Sequence, residues 1–192
     1  MHDFLQAVVK PPSRVRFPIA MKLFPVGLLV LFAFPALSQQ PAPKASGVAV
    51  IQAYAGTWKV EIEHLDTKFS KAGKDSSTLE NHCWLSDEYY SCHQYVNGKG
   101  VAFLVFTYTG KDDVYHSYVI PSDGNDAHLG TLLIKGDTWT YPWEDKDDSG
   151  KHYYFQVVNV WSSPDTIEFR QEFSEDKAHW TLSAKGHEVR QK

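Results

Sequence analysis

The chain has 192 residues, 43% of them hydrophobic and 22% charged, with a net charge of −4. That is enough for one domain with a real core and too little for two. A mildly acidic chain with no basic stripe matches neither nucleic acid nor an anionic membrane surface, so neither is expected as a partner.

In chain order, the first feature is MKLFPVGLLVLFAFPALSQQ, starting at Met21. It carries one lysine, an apolar run over 23–37, and small residues at Ala36 and Ser38. This is the pattern of a secretory signal peptide, and it predicts residues 1–38 as the signal, cleaved near Ser38. The run is short and broken by Pro25 and Pro35, so no membrane span is expected in the mature chain. The twenty residues before Met21 either extend the basic region or precede the true start, and we favour the second. Cleavage removes Lys10, Arg14, Arg16 and Lys22 against Asp3 and takes the charge from −4 to −7. The expected location is secreted or periplasmic. Residues 39–49 read as a flexible leader, and 50–192 as the folded domain.

GVAVIQAYA, before Gly56, is the one helical candidate, a plug or lid over one end of the strands beyond it. In GTWKVEIEHL, Trp58, Val60, Ile62 and His64 share one face and Lys59, Glu61 and Glu63 the other. Further strands are predicted over 76–84, 89–96, 101–109, 114–120, 129–135, 138–141, 152–161, 166–173 and 180–190. Between most of them lie runs of turn formers such as NGKG, PSDGND and EDKDDSG. About ten short strands with tight connections predict an all-β domain: a single up-and-down antiparallel barrel of 8–10 strands. Closure removes the exposed edges of an open sheet.

The two cysteines stand in NHCWLSDEYYSCHQY. A two-residue turn at Asp87-Glu88 sets Cys83 opposite Cys92 on a non-hydrogen-bonded pair, where strands come closest, and predicts a disulfide. A Cys2His2 zinc site is inconsistent with this register, because His82 and His93 point to the other face. The spacing is also far from a Cys-x-x-Cys redox couple. No metal or phosphate motif, nucleophile elbow or calcium loop occurs, so no metal, cofactor or catalytic residue is assigned and an enzyme is not expected. Glu61 and Glu63 alternate with Lys59 and read as an exposed strand face rather than a glycosidase pair.

The twenty-seven aromatic residues either fill the barrel or line a ligand cavity. His64 follows the core face of its strand, and His116 lies between Val114 and Tyr118 on a face expected to point inward. A general base at either histidine would need an acid within reach of the imidazole.

Gly56-Thr57-Trp58 resembles the opening of the lipocalin and calycin superfamily, a Gly-x-Trp after a short helical turn. The resemblance implies that Trp58 packs at the closed end of the barrel beneath Arg190. The tail, with Ser174, Asp176 and Trp180 and its late arginine, resembles lipocalin-like domains of unknown function in exported bacterial proteins. It implies a barrel with a small apolar or amphipathic ligand as the expected partner, for which Trp58, His64, His116, Tyr118, Phe169 and Trp180 are the candidate ligand-binding residues. Haem-binding barrels of the nitrobindin type also look similar and would make His187 the ligand. However, Lys59, Val60 and Glu61 replace their glycine repeat, and His187 has the parity of an outward residue. A filled barrel serving as an interaction module in the cell envelope, through exposed aromatic patches, is the alternative.

Overall fold

In the computed structural model, which describes residues 47–111 and 113–192, the alternating segments become ten strands preceded by a 3-10 helix, Gly47–Tyr54. The strands are β1 (Gly56–His64), β2 (Gly73–Leu85), β3 (Tyr89–Val96), β4 (Lys99–Tyr108), β5 (Val114–Pro121), β6 (His128–Lys135), β7 (Thr138–Lys146), β8 (His152–Ser163), β9 (Thr166–Ser174) and β10 (Thr181–Arg190). Each pairs antiparallel with the next, and β10 returns to β1, so the barrel is closed and up-and-down as predicted. The predicted signal peptide and most of the predicted leader lie outside the described residues. No described helix is long and apolar enough to cross a membrane.

The β2–β3 hairpin follows the expected register. Ser86 N–H donates to Tyr89 O across the turn, Cys83 pairs with Cys92, and the two form a disulfide with Cα atoms 4.0 Å apart. His82 and His93 also pair, on the opposite face. There His82 stacks on Tyr95, and His93 lies between Trp84 and Phe103.

β7 outruns its prediction furthest. β7 continues past Pro142 to Lys146, but beyond Thr140 it pairs only with β8. Leu133 is paired with Thr140, and successive β7 residues turn alternately to β8 and β6, as the Trp161 N–H bond to Asp137 O on the β8 side fixes. Residue 142 is therefore the next to face β6, where proline has no N–H to give. A seam between β6 and β7 opens from that position to the barrel end.

The apolar interior forms two walls. One comprises Tyr90, Cys92, Leu104, Phe106, Leu132 and Trp139 among others, and the second is centred on Trp58, Val60, Ile62, Ile167, Phe169 and Ala184. Tyr54 and Trp161 pack against both and join them at the helix-covered end.

Candidate functional site

The base of the barrel is built by the helix and the strand ends around it. The helix packs on β2, β3 and β4, with Ile51 fully buried. Trp58, also fully buried, donates its indole N–H to Tyr54 O at 3.1 Å, and the Arg190 guanidinium lies 4.1 Å from its ring centroid. The same guanidinium bonds Ala55 O at 2.5 Å, Ala53 O at 2.6 Å and Asp165 Oδ1 at 3.0 Å, locking the helix to the end of β10. Tyr54, Trp58, Trp139 and Trp161 form a ring cluster with centroids 5.2 to 6.5 Å apart.

Just inside this cluster the wall turns polar. Ala184, Gly186, Glu188 and Arg190 share the inward face of β10. The structure therefore places a carboxylate, Glu188, in the interior at 7% exposure. Its Oε1 accepts the Tyr54 hydroxyl at 3.3 Å, and its Oε2 has no protein partner. Burial raises the Glu188 pKa to about 7, against a smaller opposing effect of the Tyr54 bond. Tyr54 and Tyr141 are pushed well above the usual phenol value, first by burial and then by the Glu188 charge. Four more inward polar atoms lack protein partners: Ser77 Oγ, Asn159 Oδ1 and Trp161 Nε1 in the rows around Glu188, and Tyr90 Oη on the other wall. Native interiors leave few such groups, which usually meet water or a ligand.

Toward the other end, inward side chains retain accessible surface. Asp75, Tyr141, Trp143, Phe155, Val157, Gln171 and Phe173 are only half-buried. The β1–β2 loop lays Phe69 edge-on against Tyr153, Phe155 and Phe173, with centroids 4.9 to 5.1 Å away. Thr67 and Ser70 fold that loop into a hydrogen-bonded turn, and Lys68 bridges to Asp147 and to the Tyr153 hydroxyl. This end is thus lidded by an aromatic box beside the β6–β7 seam, rather than sealed by a helix.

Of the candidate residues, Trp58, His64 and Phe169 face the interior. The His64 Nε2 lies 3.8 Å from Asp75 Oδ2, an ion-pair distance longer than a hydrogen bond, so the pair is not a formed acid-base couple. Phe169 packs over Gly186, where a Cβ would come 2.6 Å from the ring and 2.1 Å from the Glu61 carbonyl oxygen.

His116 and Tyr118 do not face the interior and are corrected. Both point to solvent, Tyr118 at 41% exposure, while Tyr115, Ser117 and Val119 point inward. The pattern misleads because β5 is apolar on both faces. Its outward side belongs to a patch that also carries Trp84, Phe103, Ile120 and Leu129. Trp180 belongs to the turn before β10, its indole N–H on Lys177 O, in a loop that Ser174 and Asp176 knit together. His187 points outward, 3.4 Å from Glu61. The hollow at Gly186, about 570 Å³, is lined by outward Glu61, Glu63, Lys74, Lys185 and His187, whose charges pair among themselves, and by Ile62, Asp75 and Phe169 of the inward face.

Glu188 was the residue missed. Its signal was present: with Arg190 assigned over Trp58, strand parity places residue 188 inside.

Fold and interior together define a closed antiparallel barrel, helix-plugged at one end, with a polar layer above the plug. No family model and no curated protein matches the chain. Among solved structures it is similar to Rv2717c from M. tuberculosis, with 9% identity, TM-score 0.49, and coverage of 78% of this chain and 100% of that one. It is also similar to the S-type phycobiliprotein lyase CPES from Guillardia theta, with 12% identity, TM-score 0.45, and coverage of 77% and 94%. A redesigned beta barrel matches with 15% identity and TM-score 0.33 over 73% and 94%. At these identities the likeness concerns the fold alone.

Proposed function

We propose that the protein is an exported, lipocalin-like binding barrel. It takes a small apolar or amphipathic molecule into its interior and performs no chemistry on it. The observation that carries this reading is the division of the interior. Two apolar walls are joined at the base by Tyr54 and Trp161, half-buried aromatic and aliphatic side chains face inward away from it, and unpartnered polar atoms lie just above it. Binding sites commonly combine an apolar lining with a few placed polar groups. The lidded end and the adjoining seam offer the entrance. The Cys83–Cys92 bond suits an oxidising compartment and supports the export reading.

The test is native mass spectrometry of the protein purified from its own host, before and after denaturation, with a titration of the bare protein by 1-decanol. A released small molecule, or saturable decanol binding, is expected. A bare chain that also fails to bind decanol contradicts the proposal.

A second reading has its own observation. Outward Trp84, Tyr118, Ile120 and Leu129 are 41% to 66% exposed on neighbouring strands β2 to β6. Exposed apolar patches of this kind mark contact surfaces. Under that reading, Trp84→Glu would weaken association with a partner in the cell envelope and leave decanol binding unchanged.

A further inference from the structure

The polar layer has a definite chemical bias. Glu188, Ser77 and Trp161 lie in one interior row, since Ser77 and Glu188 both pair with Val60, and Glu188 and Trp161 both pair with Ile167. Asn159 lies one row further from the base, in register with Phe169 and Gly186. Their unpartnered atoms are a carboxylate oxygen, an amide oxygen, a hydroxyl and a single indole N–H. The layer is therefore rich in acceptors.

It also holds a negative charge without a matching positive one. Arg190, the next inward residue of β10, is already committed to Asp165, to the Ala53 and Ala55 carbonyls at the helix end and to the Trp58 ring. Among the described residues, the groups neighbouring Glu188 are Tyr54 from the helix, Tyr141 from β7, Val60 from β1, Ser77 from β2, Trp161 from β8 and Ile167 from β9, with Asn159 one row away. None of these supplies a cation. A carboxylate buried without a counter-charge is costly unless it takes a proton or meets a ligand cation. The aromatic cluster of Tyr54, Trp58, Trp139 and Trp161 adds ring faces, which attract cations.

Resting on the ligand-binding reading above, we propose that this layer is an amine subsite. Glu188 pairs with a primary ammonium at the head of an amphipathic ligand, Asn159 and Ser77 supply further acceptors, and the apolar tail runs toward the box around Phe69. Because the free carboxyl titrates near pH 7, amine binding weakens as pH falls through that value, while binding of a neutral analogue does not.

The test compares three ten-carbon probes that differ only in the head group. Decylamine, 1-decanol and decanoic acid are titrated calorimetrically into the oxidised protein and its Glu188→Gln variant at about pH 8. Decylamine is expected to bind wild type at least about tenfold tighter than decanol, and Glu188→Gln to abolish that preference while keeping decanol affinity. Glu168→Gln, which removes an exposed carboxylate from the outward face of β9, is expected to keep the preference. Equal affinity for amine and alcohol, or a preference that survives Glu188→Gln, overturns the amine subsite and leaves the binding barrel standing. Failure of all three probes overturns the binding reading itself. Should Glu188→Gln not fold, wild type alone decides. An amine preference that shrinks from about pH 8 to about pH 6 supports the subsite, and a flat profile overturns it.

Discussion

Glu188 carries a cost in the folded state. Its pKa rises from 4.5 in the unfolded chain to about 7 in the barrel, so the folded state favours the protonated form. The stability this proton confers is present below about pH 4.5 and is lost as pH rises through about 7. The difference amounts to about 3 kcal/mol. Urea denaturation of wild type is therefore expected to shift to lower midpoints between about pH 5 and pH 8, and Glu188→Gln to flatten most of that shift. His179, whose pKa Asp176 raises, acts in the same direction over part of the range, so the difference between the two proteins is the measurement that isolates Glu188. Asp147 and Asp176, both held far below the usual carboxylate range, stay ionised throughout this window and add no slope.

Arg190 is the second residue on which the base depends. One side chain holds two carbonyls of the helix end, Asp165 and the Trp58 ring together. Arg190→Ala leaves those partners unmatched and is expected to cost about 2 to 4 kcal/mol by urea denaturation. Arg190→Lys is expected to restore only a minor part, since an ammonium cannot reproduce a planar fork that bonds in several directions while stacked on an indole.

At the scale of elements, the chain wrote its strands and turns clearly and its openings poorly. The β2–β3 hairpin was legible to the residue, because a two-residue turn fixes every pair outward from it and one of those pairs is a disulfide. β1 was legible because apolar and charged residues alternate cleanly. β5 was not. With Tyr115, Ser117 and Val119 on one face and His116, Tyr118 and Ile120 on the other, period-two alternation offers no preference. Pairing with Phe106 and Leu104 of β4 settles which face goes in. The seam was missed for a different reason. Pro142 reads as a strand end, yet β7 runs through it because β8 continues to pair on the other side. Pro142→Thr restores the missing donor opposite Thr131, and the β6–β7 ladder is expected to lengthen. Hydrogen exchange should show slower exchange at Thr131, and ligand uptake should slow if the seam is part of the entrance. Unchanged protection at Thr131 would place the cause of the seam elsewhere.

For the whole molecule, closure gives every described strand two hydrogen-bonded neighbours, with the β6–β7 seam as a stretch where one ladder stops short. It also separates an inside from an outside. The interior pairs an apolar lining with a buried carboxylate, and the exterior of β2 to β6 carries aromatic residues without a covering layer. If the signal peptide is cleaved where its pattern indicates, the protein isolated from its host begins at Gln39 and carries the intact disulfide. N-terminal sequencing and thiol titration check both. Under the proposed function the ligand goes inside the barrel. That placement is tested by following the backbone amide resonances of the oxidised protein during titration with 1-decanol. Interior binding predicts saturable shifts clustered around Phe69, Tyr141, Asn159, Phe169 and Glu188, with the outward face around His93, Phe103, Tyr118 and Leu129 unchanged. Shifts confined to that outward face, or none at saturation of the probe, would contradict it.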